Sequence, residues 1–206
     1  MSPLTIIVAA TKANGIGING GLPWKLSKEL KYFAQATTNA PEGHQNAVIM
    51  GRNTWESIPK KFRPLPRRKN IVISTNPHYN LDTISTSAVL AHNLKSALEL
   101  SHAQTPNLNR EFIIGGATLY TEAIKLPPSP TEPYVDRVLL TRILAPDFKE
   151  CDVSMSDFLQ EEIDGKKVWA RASHKELEEW VGFGVAEGEL EENGVTYEFQ
   201  MWLRGV

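Results

Sequence analysis

A single acidic residue, Glu29, lies in a segment whose apolar residues recur at helical spacing. A carboxylate that faces an apolar pocket has its neutral form favoured by desolvation, so it can donate a proton or anchor an amidine-like ligand. The alternative is a boundary glutamate paired with Lys25, an i, i+4 pair in the weaker order. These residues alone leave both interpretations open. Projection at about 100° per residue places the following residues on the apolar side of the helix: Leu26, Leu30, Phe33, Ala36 and Thr37.

Apolar runs and helical segments alternate along the chain, a pattern that is typical of an α/β sheet. We expect one domain, residues 1–206, with a central, predominantly parallel β-sheet, an antiparallel C-terminal edge strand and helices on both faces. The strands are expected at Ile6–Ala10, Ala47–Met50, Asn70–Ser74, Phe112–Ile114 and Val138–Thr141. The helices are expected at Leu26–Thr37, Thr54–Ile58, Leu94–His102 and Ala117–Lys125.

The C-terminal run alternates apolar and polar side chains, which is the pattern of a half-buried strand. We expect this run to be the antiparallel edge strand. A further strand is expected at Lys167–Ala172, within the acidic and weakly periodic stretch from Asp147 to Asn193. The apolar face of the C-terminal strand is formed by Val195, Tyr197, Phe199, Met201 and Leu203.

Composition limits the classes of protein to which the chain can belong. It has 206 residues, 41% of them hydrophobic, which is enough for one sizeable core. A formal net charge of -2 provides no cationic surface field for nucleic acid or an anionic membrane. The apolar run Leu4–Ala10 is far too short to span a bilayer, and the single cysteine, Cys151, can form no intrachain disulfide. We therefore expect a cytoplasmic protein, and the spacing of the five histidines predicts no metal site. We also expect a monomer.

One glycine pattern could be mistaken for a dinucleotide-binding fingerprint. Gly15–Gly20 fits G-x-G-x-x-G after a strand, but the fingerprint requires a helix to begin at its third glycine. Pro23 follows shortly and keeps Leu22 extended, so the glycines are expected in a long loop. The fingerprint also requires a strand ending in an acid about 20 residues on, where this chain has the loop sequence Thr37–Gly43. We therefore reject a Rossmann interpretation.

Several longer motifs follow one another in a fixed order along the chain. They are Gly15-Ile16-Gly17, Leu22-Pro23-Trp24, Glu29, Tyr32-Phe33, Val48–Arg52, Thr54–Pro59, Arg63-Pro64-Leu65, Ile113–Gly116 and Leu140–Ile143. In this order and spacing they strongly resemble the dihydrofolate reductase family, of the longer-chain eukaryotic type. The resemblance implies an oxidoreductase of one-carbon metabolism that reduces dihydrofolate to tetrahydrofolate with NADPH and binds antifolates.

The resemblance assigns the chemical step to Glu29, which would hold the pterin ring and help to deliver a proton. Thr141 would hydrogen-bond this carboxylate, and Trp24 would hold a water that relays the proton, with Leu22 beside them. Trp24 could equally be an ordinary core indole. Arg68 would bind the α-carboxylate of the substrate at two points, although a solvated loop charge is the commoner fate of an arginine. The other implied substrate contacts are Ile7, Val8, Ala9, Tyr32, Phe33, Ile58, Leu65, Ile114 and Tyr120.

The paired glycines Gly115 and Gly116 join an apolar strand to a helix, so bare backbone amides and a helix N-terminus can meet a pyrophosphate. By resemblance Arg52 would face the 2′-phosphate of the cofactor and Thr54 its pyrophosphate. This arrangement favours NADPH over NADH. The other implied cofactor contacts are Ala9, Ile16, Gly17, Gly20, Gly51, Asn53, Ile114, Ala117, Thr118, Leu119 and Tyr120.

The chain departs from the family pattern in two places. Ser74-Thr75-Asn76 and His92 stand where related sequences carry arginines, so these residues are assigned to the cofactor in their place. Arg67 replaces the small residue that usually precedes the carboxylate-binding arginine, for which we choose Arg68.

Two other functions are compatible with parts of the pattern. One is a module that binds folate or a nucleotide without turnover, although Glu29, Thr141 and Trp24 would then have no need to occur together. The other is a pyrimidine reductase of riboflavin synthesis on a related fold. The combination of Leu22-Pro23-Trp24 with Glu29 argues against the reductase of riboflavin synthesis.

Overall fold

A computed structural model describes residues 3–205 and contains one main sheet of nine strands. The strands are β1 (Leu4–Thr11), β2 (Gly15–Gly17), β3 (Gln45–Gly51), β4 (Arg68–Ile73), β5 (Ala88–Ala91), β6 (Leu108–Ile113), β7 (Val135–Ala145), β8 (Val153–Ser154), β9 (Glu162–Ile163), β10 (Lys166–Lys167), β11 (Trp169–Arg171), β12 (Leu190–Glu192) and β13 (Val195–Arg204). The α-helices are α1 (Ser27–Thr38), α2 (Arg52–Ser57), α3 (Leu94–Gln104), α4 (Ala117–Ile124) and α5 (His174–Val181). Two 3₁₀ turns lie at Lys60–Phe62 and Phe158–Gln160.

The main sheet has the order β11-β13-β7-β1-β6-β3-β4-β5, and β12 also pairs with β13. The six strands from β7 to β5 are parallel to one another, whereas β13 is antiparallel to β7. The predicted α/β class, with a mostly parallel sheet and an antiparallel strand towards its edge, is therefore confirmed. The short strands β11 and β12 pair with β13 on its outer side.

Apolar side chains pack on both faces of the sheet, because successive residues of a buried parallel strand point to opposite sides. Ile6 and Val8 of β1 join a core that also contains the buried faces of α3 and α4. Ile7 joins a second core, which is covered by α1, α2 and α5. Helices therefore cover both faces, as predicted.

Several elements were not predicted from the sequence, among them β5 and α5. Strand β5 has only four residues and shows no alternation, and it pairs in parallel with β4. Helix α5 is only eight residues long and buries two side chains, Leu177 and Val181. Its start is nevertheless marked by a capping box in which Ser173 and Glu176 bond each other's backbone amides. The S-x-x-E pattern was the available signal for this helix.

Some predicted details differ from the structure. Leu30, expected on the apolar face of α1, is 56% exposed, and the buried residues of that helix are Glu29, Tyr32, Ala36 and Thr37. The strand expected at Lys167–Ala172 is divided between β10 and β11. Gly15–Gly17 form a short strand and no helix begins there, in agreement with our rejection of the dinucleotide-binding fingerprint.

Within residues 3–205, no helix is long and apolar enough to cross a membrane.

Candidate active site

Helix α1 carries Glu29 against the middle of the sheet. Glu29 lies in the first turn of the helix and is only 7% exposed. The hydroxyl group of Thr141, on β7, donates a hydrogen bond of 3.3 Å to its Oε1 atom. Thr141 pairs with Ala9 of β1 on one side and with Phe199 of β13 on the other. The carboxylate is therefore held against β7, the strand that lies between β13 and β1 in the sheet.

Burial dominates the protonation of Glu29. Desolvation raises the pKa of Glu29 to about 7, against the opposing effect of the Thr141 hydrogen bond, and the negative charge of Glu192 adds to the rise. A carboxyl group with this pKa is partly protonated at neutral pH. It can therefore donate a proton and can also bind a cationic or donor-rich ligand as a carboxylate.

Apolar side chains surround the carboxyl group. Tyr120 on α4 donates a hydrogen bond of 3.1 Å from its hydroxyl group to the carbonyl oxygen of Ile7, which ties α4 to β1. Tyr32, next to Glu29 on α1, is buried with its ring 4.2 Å from that of Phe199. Leu22, by contrast, is 51% exposed. The other predicted wall residues in the same core as Trp24 are buried or half-buried: Ile7, Ala9, Phe33, Ile58, Leu65 and Ile114. The side chain of Val8, also predicted as a wall residue, packs instead in the first core, on the opposite face of the sheet.

Trp24 lies in the same core as Ile7, immediately before α1. Its ring packs edge-on against Phe148 with the ring centroids 5.3 Å apart. Within residues 3–205 the buried indole N–H of Trp24 meets no hydrogen-bond acceptor. A buried donor of this kind has a free-energy cost unless a ligand or solvent accepts its bond, so the geometry suits a polar group held beside it.

The structure distinguishes clearly between the two neighbouring arginines. Arg68 begins β4 and is only 3% exposed, and its guanidinium donates bonds of 2.6 Å to Thr37 Oγ1 and 3.0 Å to the carbonyl oxygen of Pro66. Burial, followed by repulsion from Arg67, lowers the pKa of Arg68 to about 10, so it stays cationic at neutral pH. Arg67 is exposed and has a positive φ of 59°. Arg68 is therefore the oriented cation.

Most of the predicted cofactor residues lie at the carboxyl ends of the parallel strands. Gly51 of β3 pairs with Ile73 of β4, and Ile73 pairs with Ala91 of β5. The residues that follow these strands are consequently neighbours: Arg52, Ser74, Thr75, Asn76 and His92. Ligands of open α/β sheets bind at the carboxyl ends of parallel strands, which is where this group lies.

Arg52 and Ser74 differ in how firmly they are held. The guanidinium of Arg52 is about half exposed, with its Nε atom 3.9 Å from Glu56 and its carbon atom 5.9 Å from the Tyr79 ring centroid. Ser74 is buried, and its hydroxyl oxygen accepts a 3.2 Å bond from the Asn76 amide. An exposed cation beside a fixed hydroxyl group can bind a phosphate without a large desolvation cost.

The paired glycines Gly115 and Gly116 also lie at the carboxyl ends of the strands, after β6. The Gly51 amide donates a 2.7 Å bond to the carbonyl oxygen of Gly115, and the peptide bond between Gly115 and Gly116 is cis. Gly115 has a φ of 119°, and a Cβ atom there would lie 3.2 Å from both Thr54 Oγ1 and the Tyr120 hydroxyl group. Gly116 immediately precedes α4. The backbone of Gly115 and Gly116 therefore carries no side chain between Thr54 and the start of α4.

The remaining cofactor assignments occupy different surroundings. Ile16 is half-buried against the first core, and Leu119 is a buried core side chain, so only its backbone is suited to a ligand contact. The Gly15–Gly20 loop is anchored by Asp152, whose carboxylate accepts a 3.0 Å bond from the Asn19 amide and whose amide donates a 3.1 Å bond to the Gly17 carbonyl oxygen. Asp152 was not anticipated from the sequence. The positions not yet described are half-exposed or exposed: Asn53, Ala117 and Thr118.

Sequence reasoning also missed Glu192. Its two carboxylate oxygens accept hydrogen bonds of 2.7 Å from the Ser27 amide and 3.1 Å from the Lys28 amide, at the start of the helix that carries Glu29. Glu192 lies far along the chain, in a run of acidic residues before a turn. No local pattern could have linked it to α1.

Comparison with known proteins gives concordant results. The family model described as "Dihydrofolate reductase" matches residues 3–180. The dihydrofolate reductase of Cryptococcus neoformans is 47% identical over 221 residues, which cover 97% of this chain and 94% of the relative. That of Pneumocystis carinii is 40% identical over 212 residues, covering 98% and 96% of the two chains. The solved structure of Schistosoma mansoni dihydrofolate reductase superposes with a TM-score of 0.75 and 30% identity, covering 98% of each chain.

Proposed function

Because the chain belongs to the dihydrofolate reductase family, we propose that it reduces 7,8-dihydrofolate to 5,6,7,8-tetrahydrofolate with NADPH as the reductant. As a member of this family the chain is an oxidoreductase. One observation supports the reaction above all others: the buried Glu29, bonded to Thr141, has a pKa of about 7 in an apolar site. Reduction of the pterin C=N bond requires one hydride and one proton, and a carboxyl group with this pKa can take part in delivering the proton.

In this proposal Glu29 holds the pterin by accepting hydrogen bonds from its amino-pyrimidine edge. The apolar side chains of Ile7, Phe33 and Ile114 enclose the ring and keep bulk water away, which strengthens each polar contact inside the site. The free N–H of Trp24 would orient a water that passes the proton towards the ring nitrogen, since acid catalysis can run through one water. Arg68, fixed by Thr37, would bind the α-carboxylate at the other end of the substrate.

The residues at the carboxyl ends of the parallel strands fit a nicotinamide dinucleotide. When bound, NADPH supplies the hydride. The Cβ-free backbone at Gly115 and Gly116, close to Thr54, leaves amides accessible to a pyrophosphate, and α4 presents its N-terminus there. Arg52, with Ser74, Asn76 and His92 around it, provides one cation and several hydrogen-bond donors for a 2′-phosphate. This set favours NADPH, with serine, asparagine and histidine in the places where related sequences carry arginines.

Dihydrofolate-dependent oxidation of the cofactor tests the proposal directly. The purified protein should oxidise NADPH when dihydrofolate is added, should do so much less efficiently with NADH, and should be inhibited competitively by methotrexate. Tight methotrexate binding without any turnover would instead favour a non-catalytic folate-binding module. Consumption of a ribosylamino-pyrimidine in place of dihydrofolate would indicate the reductase of riboflavin synthesis.

We further propose that the protein acts as a monomer. Size-exclusion chromatography with light scattering should report a mass close to the 23.0 kDa of one chain. A cytoplasmic location remains a prediction from the cysteine usage of the chain.

A further inference from the structure

Helix α1 begins with an unusual residue. The N-cap position is occupied by Leu26, whose apolar side chain can accept no hydrogen bond from the first amides of the helix. Helices normally satisfy these amides with Ser, Thr, Asp or Asn at this position, because the first four N–H groups have no partner within the helix. For α1 the acceptor comes instead from a distant part of the chain.

That acceptor is the carboxylate of Glu192, the last residue of β12. Oε1 accepts a 2.7 Å bond from the Ser27 amide, and Oε2 accepts a 3.1 Å bond from the Lys28 amide. The two oxygens thus satisfy the first two amides of the helix at once. A charged acceptor at a helix N-terminus is also favoured by the helix dipole.

The position of Glu192 is itself fixed by the sheet. It pairs with Val195 across the turn between β12 and β13. The hydroxyl group of Tyr197, which is fully buried, donates a 3.4 Å bond to Oε2 of Glu192. The next residue, Asn193, donates a 2.7 Å bond from its side-chain amide to the carbonyl oxygen of Lys25, just before the helix. The turn therefore holds the start of α1 at two points.

We propose that Glu192 is a positioning residue for the reduction: its carboxylate caps α1 from the sheet and so sets the place and the charge state of Glu29 in the site. Glu29 is the third residue of α1, directly after the two residues whose amides Glu192 binds. A movement of this first turn would carry Glu29 away from the hydroxyl group of Thr141. The inference rests on the proposed function in that it takes Glu29 as the acid of the reaction.

Electrostatics link the same two carboxylates. Burial raises the pKa of Glu29, the Thr141 hydrogen bond lowers it, and the negative charge of Glu192 raises it further. For Glu192 itself, partial desolvation raises the pKa, but the Lys28 and Ser27 amides together with the Lys28 charge outweigh it, so its pKa lies below the ordinary value. Glu192 is therefore ionised over the whole range in which Glu29 titrates.

Other titratable groups face this pair from each neighbouring element. The phenol groups of Tyr32, Tyr120 and Tyr197 all have raised pKa values, chiefly through burial and in part through the charge of Glu29 or Glu192. They remain neutral at neutral pH. Among the groups named here, Glu29 is therefore the one expected to change its charge between pH 5 and 9, and Lys28 is the cation beside Glu192.

Three substitutions separate the effect of charge from that of capping. Glu192→Gln keeps one amide oxygen for the helix but removes the charge, Glu192→Asp keeps the charge on a shorter side chain, and Glu192→Ala removes both. Glu191→Gln is the matched control, because it removes the same charge from an exposed neighbour on β12. Two measurements are made on each protein: the pH dependence of single-turnover hydride transfer, and the NMR titration of the ¹³C-labelled Glu29 carboxyl group in the protein without ligands.

We expect Glu192→Gln to move both midpoints towards lower pH by about half a unit, which lowers the rate on the alkaline side about threefold. Glu192→Asp should restore most of the midpoint, and Glu191→Gln should leave it unchanged. In Glu192→Ala, hydrogen exchange at the Ser27 and Lys28 amides should also accelerate. A Glu29 midpoint in Glu192→Gln equal to that of the unaltered protein would overturn the inference, even if the variant is less stable. Because the NMR titration needs no substrate, absence of dihydrofolate reduction would reject the proposed function and leave this test intact.

Discussion

The hydroxyl group of Thr141 bonds Oε1 of Glu29 across the gap between β7 and α1, at 3.3 Å. This bond stabilises the ionised carboxylate, whereas the apolar surroundings of Glu29 stabilise the neutral acid. The two influences oppose each other on one group, and burial outweighs the bond, so that the pKa of Glu29 lies at about 7. The site thus has a carboxyl group that changes its charge in the physiological pH range.

Removing the Thr141 hydroxyl group should raise the pKa of Glu29 still further. Thr141→Val has nearly the same shape but cannot donate the bond, so the loss of its lowering effect should move the pH–rate profile of hydride transfer towards higher pH. Thr141→Ser, which keeps a hydroxyl group, serves as the control and should retain the original midpoint. An acid shift in Thr141→Val would mean that the bond does not act on the ionised form.

Glu29→Gln should lose activity and gain stability at alkaline pH. One well-placed acid contributes about 10²- to 10⁴-fold to a proton-transfer step, and the rate at neutral pH should fall by that factor. Because the pKa of Glu29 is raised from 4.5 to about 7 in the fold, its ionisation costs about 3 kcal/mol of stability. This cost is absent below the unfolded-state pKa, develops between pH 4.5 and 7, and is complete above pH 7.

Urea unfolding of Glu29→Gln and the unaltered protein from pH 5 to 9 measures this linkage. The stability of the variant should fall less than that of the unaltered protein as the pH rises, by about 3 kcal/mol above pH 7. Parallel stability curves for the two proteins would contradict the raised pKa, whatever the effect on activity.

Arg68→Lys should weaken substrate binding more than it slows the chemical step. Lysine cannot reproduce the planar fork that binds a carboxylate at two points, and it cannot at the same time keep the bonds to Thr37 and Pro66. We expect KM for dihydrofolate to rise roughly 10- to 100-fold with kcat changed less than about threefold. The neighbouring substitution Arg67→Lys is the control and should alter neither constant appreciably. If instead Arg67→Lys raised KM, the substrate would be bound by the exposed arginine.

Arg52→Gln should reduce the preference for NADPH over NADH. The guanidinium of Arg52 is about half exposed and is only loosely attached to Glu56, so it is free to bind a 2′-phosphate. Loss of one charge-assisted contact should cost about 1.5–3 kcal/mol of binding to NADPH and little to NADH. Steady-state kinetics with both cofactors give the ratio. Equal losses for the two cofactors would place Arg52 away from the 2′-phosphate.

Glu111→Gln should stabilise the protein at neutral pH without altering its activity. Glu111 on β6 is fully buried, and His102 Nε2 lies 3.4 Å from its Oε2 atom. Burial raises the pKa of Glu111, and Ser101 and His102 offset the rise only in part. A raised carboxyl pKa destabilises the fold as the pH rises above the unfolded value.

Thermal unfolding at several pH values tests this assignment. The advantage of Glu111→Gln in Tm should be small at acid pH and should widen as the pH rises through the range in which buried Glu111 ionises. A variant that is less stable than the unaltered protein at pH 8 would show that the charged form of Glu111 is well accommodated.

Strong local periodicity made much of the fold predictable. Strand β1, most of β3 and the end of β6 are buried apolar runs, and the alternation of β13 identified it as antiparallel to its neighbour. Strand β5 could not be predicted, because its four residues gain their strand conformation from pairing with β4. The exposure of Leu30 shows a further limit: an apolar stripe predicts which face of a helix turns inward, but not which of its residues neighbouring elements leave uncovered.

The candidate site was predictable where its residues lie within short motifs. Glu29, with the Trp24 segment before it, and Gly115 with Gly116 belong to such motifs, and the structure brings them around one sheet. Glu192 and Asp152 act on α1 and on the Gly15–Gly20 loop through contacts between distant parts of the chain. Such contacts depend on the register of strands and turns, which a single sequence does not specify.

The cap on α1 has a consequence for how the protein is made. Ser27 and Glu192 are 165 positions apart, and β13, which pairs with the strand bearing Thr141, is translated after all the other strands described. A nascent chain can therefore form α1 and the parallel strands on the ribosome. The contacts that position Glu29, from Glu192 and from β13, can form only after nearly all of the described residues have been synthesised. Incomplete chains should accumulate as inactive, partly folded species with an exposed sheet edge, which are the natural clients of chaperones.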